Sequence, residues 1–210
     1  MEKIIKIILV DIGGVLFFYN IDMFFKEISK LSDIDIGMIK KFHEPALEFF
    51  NKGLWSSKTF FNVYKEAFRL DISEEKFWQL WNGIWCPPNE NLIQILRKLK
   101  EKSLARLYIT SNINQVHLGF LKKNHPEVFD ELFEGRFVSC LIGARKPERS
   151  FFQYVINAVK LPSESSQNLR IYLIDNNSEN LLVASNFGIL PILYHPSQKE
   201  KEIEEILLHE

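Results

Sequence analysis

Cysteine is scarce in this 210-residue chain, which has two, Cys86 and Cys140. Two are too few for a disulfide framework and fit a reducing compartment; both read as buried or partly buried thiols without a redox role. An excess of charge of either sign is lacking too, since 26 Lys and Arg stand against 27 Asp and Glu for a net charge of −1. No overall field draws such a chain onto nucleic acid or an anionic membrane, so a phosphate site must be local. Long hydrophobic runs are also missing. The start, Met1 to Leu9, carries Lys3 and Lys6, Asp11 interrupts the apolar run, and no small-residue cleavage pattern follows Phe17 and Phe18. It reads as a buried strand rather than a signal peptide. No stretch reaches the roughly 18 apolar residues of a membrane span. The expectation is a cytoplasmic protein with neither nucleic-acid nor membrane partners. What the chain does have is 46% hydrophobic and 13% aromatic residues, enough for a real core in one large domain or a domain with an insertion.

Patterning divides the chain in two. Ile4 to Val10 is aliphatic except for Lys6, as a parallel strand buried on both faces reads, and Asp11 sits at its carboxyl end. From Phe17 to Pro88 the spacing turns helical, and this block holds most of the 18 Phe and all four Trp. Trp78, Trp81 and Trp85 recur at i, i+3 and i+7, which predicts one helix face engaged in packing, with Cys86-Pro87-Pro88 as the helix stop. Strand–helix alternation then resumes. Strands are predicted at Leu104 to Thr110, Arg136 to Ser139, Ile171 to Ile174 and Ile189 to Tyr194. Helices are predicted around Leu92 to Leu99, Gln115 to Lys123, Glu148 to Val159 and Ser178 to Asn186, the last stopped before Gly188, with a charged helix closing the chain. The fold class is α/β, a Rossmann-like and mostly parallel sheet with helices on both faces. Residues 1–16 and 89–210 form the core domain, and 17–88 form an inserted helical domain.

In an open parallel sheet, ligands bind outside the carboxyl ends of the strands. Those ends carry Asp11, Ser111-Asn112 and Asp175-Asn176, and the loop Gly143-Ala144-Arg145-Lys146-Pro147 adds Lys146. Each alone reads as a cap, a turn or a solvated residue. Together they suit phosphoryl chemistry: a carboxylate to attack or hold metal, a cation for phosphate oxygens, and hydroxyl and amide donors. His43, His117, His125, His195 and His209 show no metal-ligand spacing.

The same residues carry a family resemblance. Ile7 to Leu16, with Asp11-Ile12-Gly13-Gly14, resembles the first motif of the haloacid dehalogenase-like (HAD) hydrolases. Tyr108 to Asn112 resembles the second, Arg145 to Glu148 the third and Tyr172 to Asn180 the fourth. The resemblance spans essentially the whole chain and is nearest to the sugar-phosphate phosphatase and epoxide-hydrolase N-terminal phosphatase branch. It implies that Asp11 is a nucleophile forming an aspartyl-phosphate, that Ser111, Asn112 and Lys146 hold the phosphoryl group, and that Asp11, the Gly13 carbonyl, Asp175 and Asn176 hold Mg²⁺ beneath a helical cap.

Two positions depart from the family pattern. Gly13 stands where the family usually places a general acid–base aspartate, worth about 10²–10⁴ in rate, and Asn176 stands where it places an acidic metal ligand. The expected function is a Mg²⁺-dependent phosphatase of a small phosphorylated metabolite, sugar phosphates among the candidates. The alternative is a catalytically weakened relative that binds a phosphorylated ligand or a protein through its cap. Metal-free dehalogenation and a phosphorelay receiver fit the sequence less well.

Overall fold

The computed structural model describes residues 5–159, 169–195 and 200–209, so Ile4 lies outside the described residues. Strand β1 (Ile5–Val10) is the centre of a five-stranded sheet. The other members are β4 (Ala105–Ser111), β5 (Gly135–Val138), β6 (Leu169–Asp175) and β7 (Leu190–Leu193), with β2 (Phe17–Tyr19) and β3 (Trp85–Pro88) forming a separate ribbon. The sheet order is β5-β4-β1-β6-β7 and every pairing is parallel. Ile8 of β1 is flanked by Leu107 and Tyr172.

Strict alternation along β1 feeds two cores. Ile8 and Val10 join Leu107, Ile109, Tyr172 and Ile174 under α5 (Glu90–Glu101) and α10 (Glu200–His209). Ile7 and Leu9 join Ile171 and Leu173 under α8 (Arg149–Val159) and α9 (Ser178–Ser185). Both faces are therefore covered, which is why the strand has no polar side beyond its first turn. Lys6, the exception, donates from its ammonium to the Leu207 carbonyl in the last turn of α10 at 2.8 Å, a favourable place for a cation.

Between β2 and β3 lie four helices, α1 (Ile21–Ser32), α2 (Ile36–Asn51), α3 (Ser57–Ala67) and α4 (Glu74–Asn82). Each opens on a polar cap, Asn20, Asp35, Ser56 and Ser73, whose side chain accepts backbone N–H bonds. They enclose a third hydrophobic cluster of their own, built on Phe24, Phe60, Tyr64, Phe77 and Trp81. Phe50 and Phe60 stack at 4.3 Å, while Phe24 meets Phe77 and Trp81 edge-on. No helix among the described residues is long and apolar enough to cross a membrane.

Several expectations shift here. The helix expected to carry three tryptophans ends at Asn82, and Trp85 belongs to β3, paired with Tyr19. The chain turns at Gly83, and the antiparallel ribbon claims the next residues before the prolines are reached. Cys86 is exposed rather than buried, because it sits on a ribbon strand with no layer over that side; Cys140 is half-buried, and its burial pushes the thiol pKa up to about 11. Phe17 packs with the sheet-face core and stacks on Phe129. A π-helical turn at Glu127–Leu132 and α7 (Ser139–Ile142), which follows β5, were not foreseen from the sequence.

Two regions tie the helical block to the sheet. Where the chain enters and leaves, the Asn89 N–H donates to the Leu16 carbonyl at 2.8 Å, and the Asn89 amide donates to the Val15 carbonyl and the Tyr194 hydroxyl. At the far end of α2, Ser139 Oγ donates to the Asn51 carbonyl at 2.6 Å, and Lys52 pairs with Glu148 of the core and Glu48 of its own helix.

Candidate active site

Strand order reverses at β1, which has β4 on one side and β6 on the other; such a switch point opens a crevice at the carboxyl edge. Asp11, Ser111 and Asp175 end those three strands side by side. Lys146 reaches in from the loop after α7 and is 1% exposed. Its ammonium donates to the Thr110 carbonyl at 3.0 Å and to Asp175 Oδ2 at 2.6 Å, and it pairs with Asp11 Oδ1 at 3.1 Å. The buried cation is thus matched by two carboxylates.

Electrostatics follow from this arrangement. Burial alone would lower the Lys146 pKa, but the Asp11 and Asp175 carboxylates outweigh it and hold the ammonium above its ordinary range. Burial raises the Asp11 carboxyl, and the Asp175 charge adds to this, while Lys146 and a hydrogen bond from Ser111 pull it back. Asp11 Oδ1 also accepts the Ile12 N–H at 2.8 Å.

Asp11, Gly13, Ser111, Asn112, Lys146 and Asn176 line one cavity of about 450 Å³ between the sheet edge and the helical block. Asp175 is not among the lining residues. It lies fully buried, its oxygens taken by Lys146, by the Asn177 N–H at 2.8 Å and by the Asn180 amide at 3.1 Å to each oxygen. The Asn112 side chain is likewise committed: its amide donates to the Lys146 carbonyl at 2.7 Å, and its oxygen accepts the Lys146 N–H at 2.8 Å. Asn112 therefore fixes the lysine loop. Asn180 closes the fourth motif but was given no role from the sequence, because it acts on a carboxylate five residues back, at the end of β6.

The two unusual positions have physical counterparts. A Cβ at Gly13 would lie 3.2 Å from the Tyr19 ring, which occupies the space above the glycine. Gly14 adopts φ +82°, and the Asn176 amide lies where its Cβ would stand, so glycine there serves both the turn and the approach of Asn176. Asp11, Gly13 and Asn176, which line the cavity, can offer a carboxylate, a backbone carbonyl and an amide oxygen, hard donors of the type that Mg²⁺ takes, the ion keeping several waters. Among the described residues no cluster of three His, Cys, Asp or Glu offers a fully charged alternative.

No family model matches the chain. It is 26% identical over 187 residues to the sesquiterpene phosphatase astK of Aspergillus oryzae, covering 88% of this chain and 87% of that one. It is 28% identical over 149 residues to the drimenol cyclase drtB of Aspergillus calidoustus, 70% of this chain but 23% of that longer protein. Among solved structures, an HAD family enzyme of Bacteroides thetaiotaomicron, bt-2542, superimposes with a TM-score of 0.83 at 23% identity, over 96% of this chain and 98% of its own. The same enzyme in complex with magnesium and inorganic phosphate gives 0.80 at 23% identity, over 95% and 98%. With four motif positions gathered at the carboxyl edge of such a sheet, the chain has the fold of the haloacid dehalogenase-like hydrolases.

Proposed function

We propose that the protein is a Mg²⁺-dependent phosphatase of small phosphate monoesters, acting through an aspartyl-phosphate, with residues 17–88 as its cap. The observation that carries this reading is the Lys146 ammonium clamped between Asp11 and Asp175 at the cavity floor. A nucleophilic carboxylate beside a buried fixed cation suits a phosphoryl group in transfer, whose negative charge is spread over three oxygens. The phosphate and magnesium bound by the Bacteroides enzyme, and the name of the Aspergillus phosphatase, support it.

In this mechanism an Asp11 oxygen attacks phosphorus, the bond to the leaving oxygen breaks, and the product alkoxide takes a proton from solvent. Water then attacks phosphorus of the aspartyl-phosphate, releasing inorganic phosphate and restoring the carboxylate. Ser111 and Lys146 hold the phosphoryl oxygens. Asp175 acts from behind, keeping Lys146 charged and aimed, and Asn112 and Asn180 fix that pair. Mg²⁺, held by Asp11, the Gly13 carbonyl and Asn176, would neutralise the approach of two anions. Gly13 offers no general acid, so esters with good leaving groups turn over best.

An activated aryl phosphate with Mg²⁺ provides the test. Hydrolysis should be measurable in the native chain and fall to background in Asp11→Asn, since an amide is a poor nucleophile. Equal turnover in that variant would remove the covalent mechanism. The Tyr19 ring over Gly13 and the uncharged Asn176 favour the second reading, a weakened relative that retains ligand binding; it predicts phosphate binding without turnover.

A further inference from the structure

We propose that the site selects phosphate monoesters whose leaving group is an extended apolar chain, rather than sugar phosphates. This rests on the phosphatase reading and concerns the side of the cavity that the inserted helical block supplies, opposite the sheet edge. Phe25, Leu47, Trp81 and Ile84 line that side, with Trp85 beside Tyr19 and Ile113 just past β4.

Most polar side chains there already have partners. Lys40 meets Asp22 at 2.7 Å, His43 bonds the Tyr64 hydroxyl, and His117 bonds the Trp81 carbonyl at 3.1 Å and the Asn114 amide. Asn114 in turn donates to the Asn51 side-chain oxygen at 3.2 Å. The indole N–H groups of Trp81 and Trp85 have no partner, yet both nitrogens are fully buried and so closed to a ligand hydroxyl. Glu44 is exposed to solvent, and the Tyr19 ring lies over Gly13 at the Asp11 end of the cavity.

A sugar ring brought into this space would surrender its water and find few partners, at the cost of unmet hydrogen bonds. A hydrocarbon chain loses nothing polar and covers aromatic and aliphatic surface. The floor, by contrast, holds Asp11, Ser111, Lys146 and Asn176, so one cavity is anion-binding at one end and apolar at the other. An amphiphile with a phosphate head matches that polarity.

Two series on the full chain with Mg²⁺ test this. The first measures kcat/KM for unbranched alkyl phosphates from four to ten carbons, with a hexose 6-phosphate beside them. The second measures equilibrium binding of the non-hydrolysable alkyl phosphonates of the same lengths. About fourfold tighter binding and higher kcat/KM per methylene is expected until the cavity fills, with the hexose phosphate below the shortest alkyl ester. A flat response to length in both series, or preference for the hexose phosphate, overturns the proposal. Length-dependent phosphonate binding without hydrolysis of any ester supports the substrate class while removing the phosphatase reading. If neither hydrolysis nor phosphonate binding occurs, both fail.

Discussion

Asn176 is the residue whose exchange says most about the metal. It lies over Gly14 and lines the cavity, and it brings an oxygen without charge. Asn176→Asp adds an anionic hard ligand, so the half-saturating Mg²⁺ concentration should fall by about tenfold, roughly 1.4 kcal/mol. Titrating Mg²⁺ against aryl phosphate hydrolysis in both proteins reads this directly, and an unchanged requirement would place residue 176 away from the ion. His43 and His117 give a second prediction. Burial lowers their pKa values from 6.5 to about 4 and about 3, so both rings stay neutral in the fold while the unfolded chain protonates them below about 6.5. The unfolded state then binds more protons, and stability must fall as pH drops from 6.5 towards 4, by up to about 1.4 kcal/mol per pH unit for each ring. Asp11, raised by burial, acts with the opposite sign, so the urea midpoint at pH 7 and pH 5 should be compared with that of His43→Gln, whose slope should be smaller. Roles at this scale were unevenly legible. Asp11 and Ser111 stood out because polar residues end apolar runs, and Lys146 as a cation in the loop Gly143 to Pro147. The bond of the Asn112 side chain to the backbone of a residue 34 positions away was not legible, since no local pattern records it.

The strands and helices of the sheet were legible because their apolar periods are unbroken, and β1, β4 and β6 end within a residue or so of where the pattern stops. The β2–β3 ribbon was not. Trp85 continues the three- and four-residue spacing of Trp78 and Trp81, so periodicity alone extends α4 through Gly83 into a strand whose pairing with Tyr19 is set 66 residues earlier. The loop between α7 and α8 is the element that matters most for chemistry. Its hold on the sheet is the pair of hydrogen bonds between the Asn112 amide and the Lys146 backbone, together with the Lys146 ammonium. Asn112→Ala leaves those backbone groups unpaired and should cost about 1–3 kcal/mol in thermal unfolding, with turnover falling alongside as Lys146 loses its aim. An unchanged melting curve would show the clamp to be dispensable. Lys146→Met tests the cation itself: two buried carboxylates would then face each other uncompensated, and a loss of about 3–5 kcal/mol is expected from denaturant titration.

Across the whole molecule, two hydrophobic cores belong to the sheet and a third to the inserted helices. The residues of the third core come from the stretch into which the aromatic residues crowd, while Phe17 packs with the sheet-face core. Replacing residues 18–87 with a short linker between Phe17 and Pro88, which are paired neighbours, should leave a folded core. By calorimetry that core should still bind Mg²⁺, but its kcat/KM values should no longer rank phosphate esters by their organic group, because a lid supplies contacts the floor lacks. A truncated core, shown by circular dichroism to be folded, that ranks esters as the full chain does would assign selectivity to the sheet instead. The backbone bonds from Asn89 to Leu16 and from Asn20 to Ile84, with the β2–β3 pairing, bring entry and exit of the insertion together. An insertion joined that way is a cassette: it can be lengthened, traded or rebuilt through changes confined to its junction, while Asp11, Ser111 and Lys146 keep their places at the sheet edge.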